Sequence, residues 1–331
     1  MVAPSWVGDM VMAQSLFKAL KQRHPEPGID VLAPAWSRPL LERMPEVGDA
    51  IDMPLGHGRL GLKTRWRLGR GLRGRGYDQA ILLPNSFKSA LVPFWAGIPR
   101  RTGWVGELRY GLLNDIRKLD KSRLTMTVQR FVALAYPAKT PSVPEIPPPS
   151  LEADSTAAHQ ALAELGLVKR GPVLALCPGA EYGPAKRWPE ESYAGLAAAM
   201  AEEGWDIWLF GSARDRPVCA GITRRLEGNC ADLSGRTSLA QALDLLSLAD
   251  AVVSNDSGLM HVAAALDRPL VALYGSSDPG FTPPLNDRSR VVCLGLDCSP
   301  CFRRECPQGH LRCLRDISVE QVGQALDEVL P

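Results

Sequence analysis

The 331 residues contain no apolar run approaching the roughly eighteen that a membrane-spanning helix requires. The opening segment also lacks the uninterrupted apolar core of an export signal, because Asp9 and Lys18 fall inside it. A cytoplasmic location is therefore expected. Net charge is nearly lacking, at +2, but this hides a division. Residues 1–150 hold 22 Lys and Arg against 12 Asp and Glu, while residues 151–331 hold 16 against 24. Halves of +10 and −8 suggest different partners, the basic half suiting a polyanion or an anionic membrane surface. The plainer reading is Arg-rich helices with merely solvated faces. At 45% apolar and 22% charged, the composition is that of a globular protein long enough for two domains.

Eight cysteines in a cytoplasmic chain argue against a disulfide framework. Cys177, Cys219 and Cys230 are scattered and read as core. Four others are spaced Cys298-x2-Cys301-x4-Cys306-x6-Cys313. They could surround a zinc ion, with His310 as a rival ligand, or stand as reduced thiols packing a loop.

The most informative stretch runs from Asp250 to Pro279. Apolar Ala251 to Val253, a turn at Ser254 to Ser257, a helix of small residues through Leu266 and a second apolar run from Pro269 to Tyr274 form a βαβ crossover. Asp256 and Ser257 are good cap residues, and Gly258 lets a ligand approach the first helical turn, whose free N–H groups attract anions. A phosphate-bearing ligand is expected, although such crossovers also occur without one.

Along the chain, the start reads as the tail of a strand, a glycine turn and a helix with Met12, Leu16 and Leu20 on one buried face. Only Val2 and Ala3 precede Pro4, so the first strand is very short, and a trimmed or misassigned start is one explanation. Strands follow near Ile29 to Ala33, Tyr77 to Leu83 and Arg100, with helical segments over Arg59 to Arg75 and Ser86 to Trp95. Gly69, Gly71 and Gly74 spell GxGxxG, but before a strand instead of after one, so they are expected to end a helix and not to bind a dinucleotide. Residues 137–149 carry six prolines in thirteen positions and read as a stiff linker between domains 1–145 and 146–331. The second half repeats the βα rhythm and closes on a helix from Val319 to Leu330, with packing back onto the first domain as one option. Two doubly wound α/β domains facing a cleft are expected.

Loops after strands would line that cleft. PGAEYGPAKRWP (178–189) places Glu181, Lys186 and Arg187 beyond a buried strand, where a lysine would meet phosphate as a point charge. A solvated surface lysine is the bland alternative. Asp9 is equally explained as a helix cap or as a base taking a proton from an alcohol.

Four separated segments, SWVGDMVMAQSL (5–16), PGAEYGPAKRWP (178–189), SNDSGLMHVAAAL (254–266) and YGSSDP (274–279), together resemble the ADP-heptose:lipopolysaccharide heptosyltransferases of glycosyltransferase family 9. Within that family they are most similar to the members that add the second inner-core heptose, and CSPCFRRECPQGH (298–310) is similar to that group too. The likeness departs at the start, where the usual longer first strand is missing. The resemblance implies a GT-B fold of two Rossmann-like domains, with the acceptor bound by the N-terminal one and the sugar nucleotide by the C-terminal one. It implies an inverting transfer of L-glycero-D-manno-heptose from ADP-heptose to the heptose on phosphorylated Kdo2-lipid A. Asp9 would be the general base and Lys186 the phosphate ligand. Glu181, Asp256, Ser257, Gly258, Leu259, Met260 and His261 would complete the donor site.

No cofactor and no metal are expected for the reaction, since such enzymes need no DxD site and the sequence holds none. A monomer, peripheral attachment to the inner leaflet of the inner membrane and no nucleic-acid partner complete the expectation. The rivals are a GT-B enzyme with another nucleotide sugar, a sugar-nucleotide epimerase, or a two-domain binding protein without catalysis.

Overall fold

A computed structural model describes residues 1–56, 58–140, 142–227 and 230–330, so Pro141 of the expected linker lies outside the described residues. The chain divides into two units, Met1–Pro149 and Ser150–Pro331. The division falls at the end of the proline run, four residues after the boundary expected at 145/146.

The first unit holds β1 (Asp30–Pro34), β2 (Asp49–Met53), β3 (Gln79–Leu82), β4 (Arg100–Trp104) and β5 (Asp115–Arg117), all paired in parallel. Between β1 and β3 run residues 1–3. Val2 bridges both Leu32 and Leu82, and its N–H donates to Ile81 O at 2.9 Å while Ala3 N–H donates to Leu32 O at 3.0 Å. This short segment occupies the central strand position, giving the order β2, β1, residues 1–3, β3, β4, β5. The connection direction reverses beside it, as in a doubly wound sheet.

The helix Val7–Arg23 is not the one-sided helix that the spacing of Met12, Leu16 and Leu20 suggested. Residues 10–17 are buried throughout, including Gln14 and Ser15, while Leu20 is only half-buried. Gly69 does not end its helix, which continues to Leu72; a Cβ there would come within 2.8 Å of Val92 O and Trp95 Cβ, so glycine permits close helix packing. The chain turns at Gly76, which adopts φ 67°.

The second unit carries β6 (Val173–Cys177), β7 (Asp206–Leu209), β8 (Ala231–Asp232), β9 (Ala251–Asn255), β10 (Leu270–Tyr274) and β11 (Ser289–Cys293). Its six-stranded parallel sheet has the order β8-β7-β6-β9-β10-β11. Every residue of β6, β9 and β10 is buried, the mark of parallel strands covered on both faces. Leu174, Leu176, Val253, Val271 and Leu273 point to one face and join the helices Glu190–Glu202, Arg216–Arg225 and Val319–Val329 in one core. Tyr274 faces the other way, and its hydroxyl lies 3.3 Å from Met260 Sδ on the crossover helix Gly258–Ala265. Val322, Ala325, Leu326 and Val329 of the terminal helix are buried in the second unit's own core.

Candidate functional site

In the second unit the connections reverse direction between β6 and β9, and the chain leaves both strands at their carboxyl ends there, where open α/β sheets bind ligands. After β9 come Asp256 and then Ser257, the N-cap of Gly258–Ala265. Ser257 makes no side-chain cap; its hydroxyl lies 3.3 Å from that of Ser254 instead. The first-turn N–H groups of this helix are thus left uncapped by side chain and attractive to an anion.

After β6, the loop 178–189 brings Lys186 to the end of a short 3₁₀ turn. Its Nζ donates to Asp256 Oδ2, with side chains 17% and 5% exposed respectively, so the pair is largely shielded from water. Lys186 Nζ also lies 5.1 Å from the centroid of Tyr182, and Arg304 lies 5.2 Å from the same ring. His261, one turn into the helix, is buried. Burial lowers its pKa from 6.5 to about 4, Asp256 pulling it up and Lys186 pushing it down. At neutral pH its imidazole is uncharged, fit to share hydrogen bonds but not to donate a proton as a cation.

The loop is held by Asn255, the last residue of β9. Its Nδ2 donates to Pro178 O at 2.7 Å, while its Oδ1 accepts from Trp188 N–H at 3.0 Å and Tyr193 O–H at 3.1 Å. Trp188 is 1% exposed, donates Nε1–H to Ile317 O at 3.0 Å and meets Tyr193 edge-on at 4.9 Å. Both ends of the Lys186 loop are therefore tied to the strand that leads into Asp256. Gly179 is required by space: a Cβ would come 2.4 Å from Asp215 Cγ. Asp215 accepts from the N–H and hydroxyl of Ser212 at 2.9 and 2.8 Å, closing the turn after β7.

Lys186, Asp256, Ser257, Gly258 and His261 thus come together. Leu259 is half-buried on the first helical turn. Glu181 points elsewhere, pairing with Arg214 on the exposed rim. Met260 departs from the expected donor set: it is wholly buried against Tyr274 as a core side chain. In the first unit Asp9 is half-buried at the third position of Val7–Arg23, whose N-cap is Trp6, so Asp9 is not the cap the sequence suggested. Asn255, Tyr182 and Arg304 went unnoticed in the sequence. Asn255 had a signal, a polar residue closing an apolar run; the other two had none.

The family model described as glycosyltransferase family 9 (heptosyltransferase) matches residues 65–312. The chain belongs to glycosyltransferase family 9. Lipopolysaccharide heptosyltransferase 2 of Salmonella typhimurium is 49% identical over 338 residues, covering 99% of this chain and 97% of that protein. Its counterpart in Escherichia coli K12 is 48% identical with the same coverage. The solved structure of E. coli ADP-heptose LPS heptosyltransferase II matches with TM-score 0.88 and 46% identity over 99% of this chain and 97% of that one. This family 9 member is therefore a glycosyltransferase with the two-domain, Rossmann-like GT-B fold expected from its sequence.

Proposed function

We propose that the chain transfers L-glycero-D-manno-heptose, with inversion, from ADP-heptose to the first heptose of the lipopolysaccharide inner core. The observation that carries this reading is the Lys186–Asp256 pair beside an uncapped helix start at the switch point of the second sheet. A diphosphate there gains a shielded ammonium and a row of N–H groups. The near full-length likeness to heptosyltransferase 2 supports heptose as the sugar.

In the proposed reaction the acceptor hydroxyl attacks the anomeric carbon as the bond to the diphosphate breaks. The Asp9 carboxylate takes the hydroxyl proton. The electron pair leaves with ADP, whose growing charge meets Lys186 and the amides of Gly258 and the residues after it. Asp256, released by Lys186, and neutral His261 then face the sugar hydroxyls. The second unit holds the donor and the first unit the acceptor.

The partner beyond the donor is the phosphorylated lipid A–Kdo–heptose acceptor at the inner leaflet, met by a peripheral monomer on the cytoplasmic side. No described helix is long and apolar enough to cross a membrane. In the first unit the helix Leu62–Leu72 exposes Leu62 and Trp66 beside Lys63, Arg67 and Arg70, a face suited to an anionic lipid surface.

The test is incubation with ADP-heptose and heptosyl-Kdo2-lipid A, read by mass spectrometry. A product one heptose heavier is expected, with Asp9→Asn slowing turnover by at least about 100-fold while ADP affinity stays unchanged. Donor binding without turnover by the unaltered chain would overturn the reading, and near-normal turnover in Asp9→Asn would remove Asp9 from it.

A further inference from the structure

The C-terminal thiols lie outside the chemistry proposed above. Cys298, Cys301, Cys306 and Cys313 all line one pocket, with Ala185, the neighbour of Lys186, in its wall. They come from three pieces of chain: a Cys-x2-Cys turn, the loop that follows, and the short helix Arg312–Arg315. The sulfur of Cys306 accepts backbone N–H groups from Leu311, Gln308, Gly309 and His310. Amide donors converging on one sulfur are the outer hydrogen bonds that metal-bound sulfur ligands use. His310 is already engaged at both ring nitrogens. Its Nδ1 accepts from Arg312 N–H at 3.0 Å, and its Nε2 lies 2.6 Å from Gln308 Oε1. The ligand set is therefore the four sulfurs.

We propose that Cys298, Cys301, Cys306 and Cys313 bind one soft, tetrahedral divalent cation of the zinc type as a structural brace. Among the described residues no three such side chains stand at coordinating geometry, so binding requires the four sulfurs to close on the ion from the walls of the pocket they line. Binding displaces the thiol protons to solvent and forms metal–sulfur bonds without any change of oxidation state. Four thiolates fill the coordination sphere and leave no open position, so the ion holds structure and does not act on substrate.

What it would hold is the loop carrying Lys186. Arg304 lies between the second and third cysteines, and its carbonyl accepts Ala185 N–H at 3.1 Å. A Cβ on Gly183 would come 2.5 Å from that same oxygen. Tyr182 O–H donates to Phe302 O at 2.7 Å, and Phe302 N–H donates to Ser276 O at 2.7 Å. The segment spanned by the cysteines is thus one wall of the Lys186 loop.

The full chain, purified under reductant without chelator and reconstituted with zinc, is expected to retain about one zinc per chain by elemental analysis. Replacement by cobalt should give the absorption of a tetrahedral cobalt–thiolate centre, reduced or abolished in Cys301→Ser and in Cys306→Ser. Circular dichroism would establish that both variants fold; their half-exposed sulfurs make them gentler changes than the buried Cys313. Less than about 0.2 zinc per reconstituted chain overturns the proposal. So does zinc uptake undiminished in the Cys301→Ser, Cys306→Ser double variant, or a disulfide among the four thiols that persists under reductant.

Discussion

Replacing Asn255 by alanine tests how the Lys186 loop is held. The change deprives three buried groups of their partner: Pro178 O, Trp188 N–H and Tyr193 O–H. Each buried polar group left unmatched costs about 1–3 kcal/mol, so even the low end of the range gives about 3 kcal/mol. For a unit of this size each kcal/mol lowers the melting temperature by about 2–4 °C, so a drop of about 6–12 °C is expected. Tyr193→Phe removes one of the three bonds and should fall by only about 2–4 °C. Thermal melts followed by circular dichroism give both values, and calorimetric titration with ADP should show Asn255→Ala binding several-fold more weakly. A melt within about 2 °C of the parent with unchanged ADP affinity would refute the reasoning. A larger loss in Tyr193→Phe than in Asn255→Ala would do the same.

Lys186→Ala should weaken ADP binding by roughly 10- to 100-fold, the worth of one charge-assisted hydrogen bond, and unaltered affinity in a titration would deny Lys186 its phosphate. His261 makes acid-side stability pH-dependent. The unfolded chain protonates it below about 6.5 and the folded chain only below about 4, so its stabilisation is complete above 6.5 and declines as the pH falls towards 4. At pH 5 the loss is roughly 2 kcal/mol, which urea melts at pH 7 and pH 5 should show shrinking in His261→Gln; equal losses in both proteins would contradict the assignment. Trp66→Ser together with Arg70→Ser should reduce flotation with vesicles rich in anionic lipid at low salt, and unchanged flotation would move the membrane face elsewhere.

The crossover from Ala251 to Tyr274 was legible because two wholly buried strands read as unbroken apolar runs around a helix of small residues. The switch point was not, since strand order depends on which chains pair and leaves no local pattern. β2 went unseen because its residues are half-buried to exposed and lack a clear apolar alternation, and β5 is only three residues long. Lys186 and Asp256 stood out as charged residues in loops after buried strands. Met260 misled because a motif places it beside the site, while the turn of the helix carries its side chain into the core. Arg304 reaches Tyr182 from a segment more than a hundred residues away, a closeness that only folding creates.

The closed Lys186–Asp256 contact has a bearing on turnover. In the resting protein each charge is the other's partner, so an incoming anion must part Lys186 from Asp256 before it gains the ammonium. In the reaction proposed above, a complete sugar nucleotide would engage both members at once, the ammonium by its phosphates and the carboxylate by its hydroxyls. Once the sugar had gone, bare ADP on the lysine would strand a carboxylate that is 5% exposed, an expensive thing to leave without company. Re-forming the original contact would then favour release of the spent nucleotide.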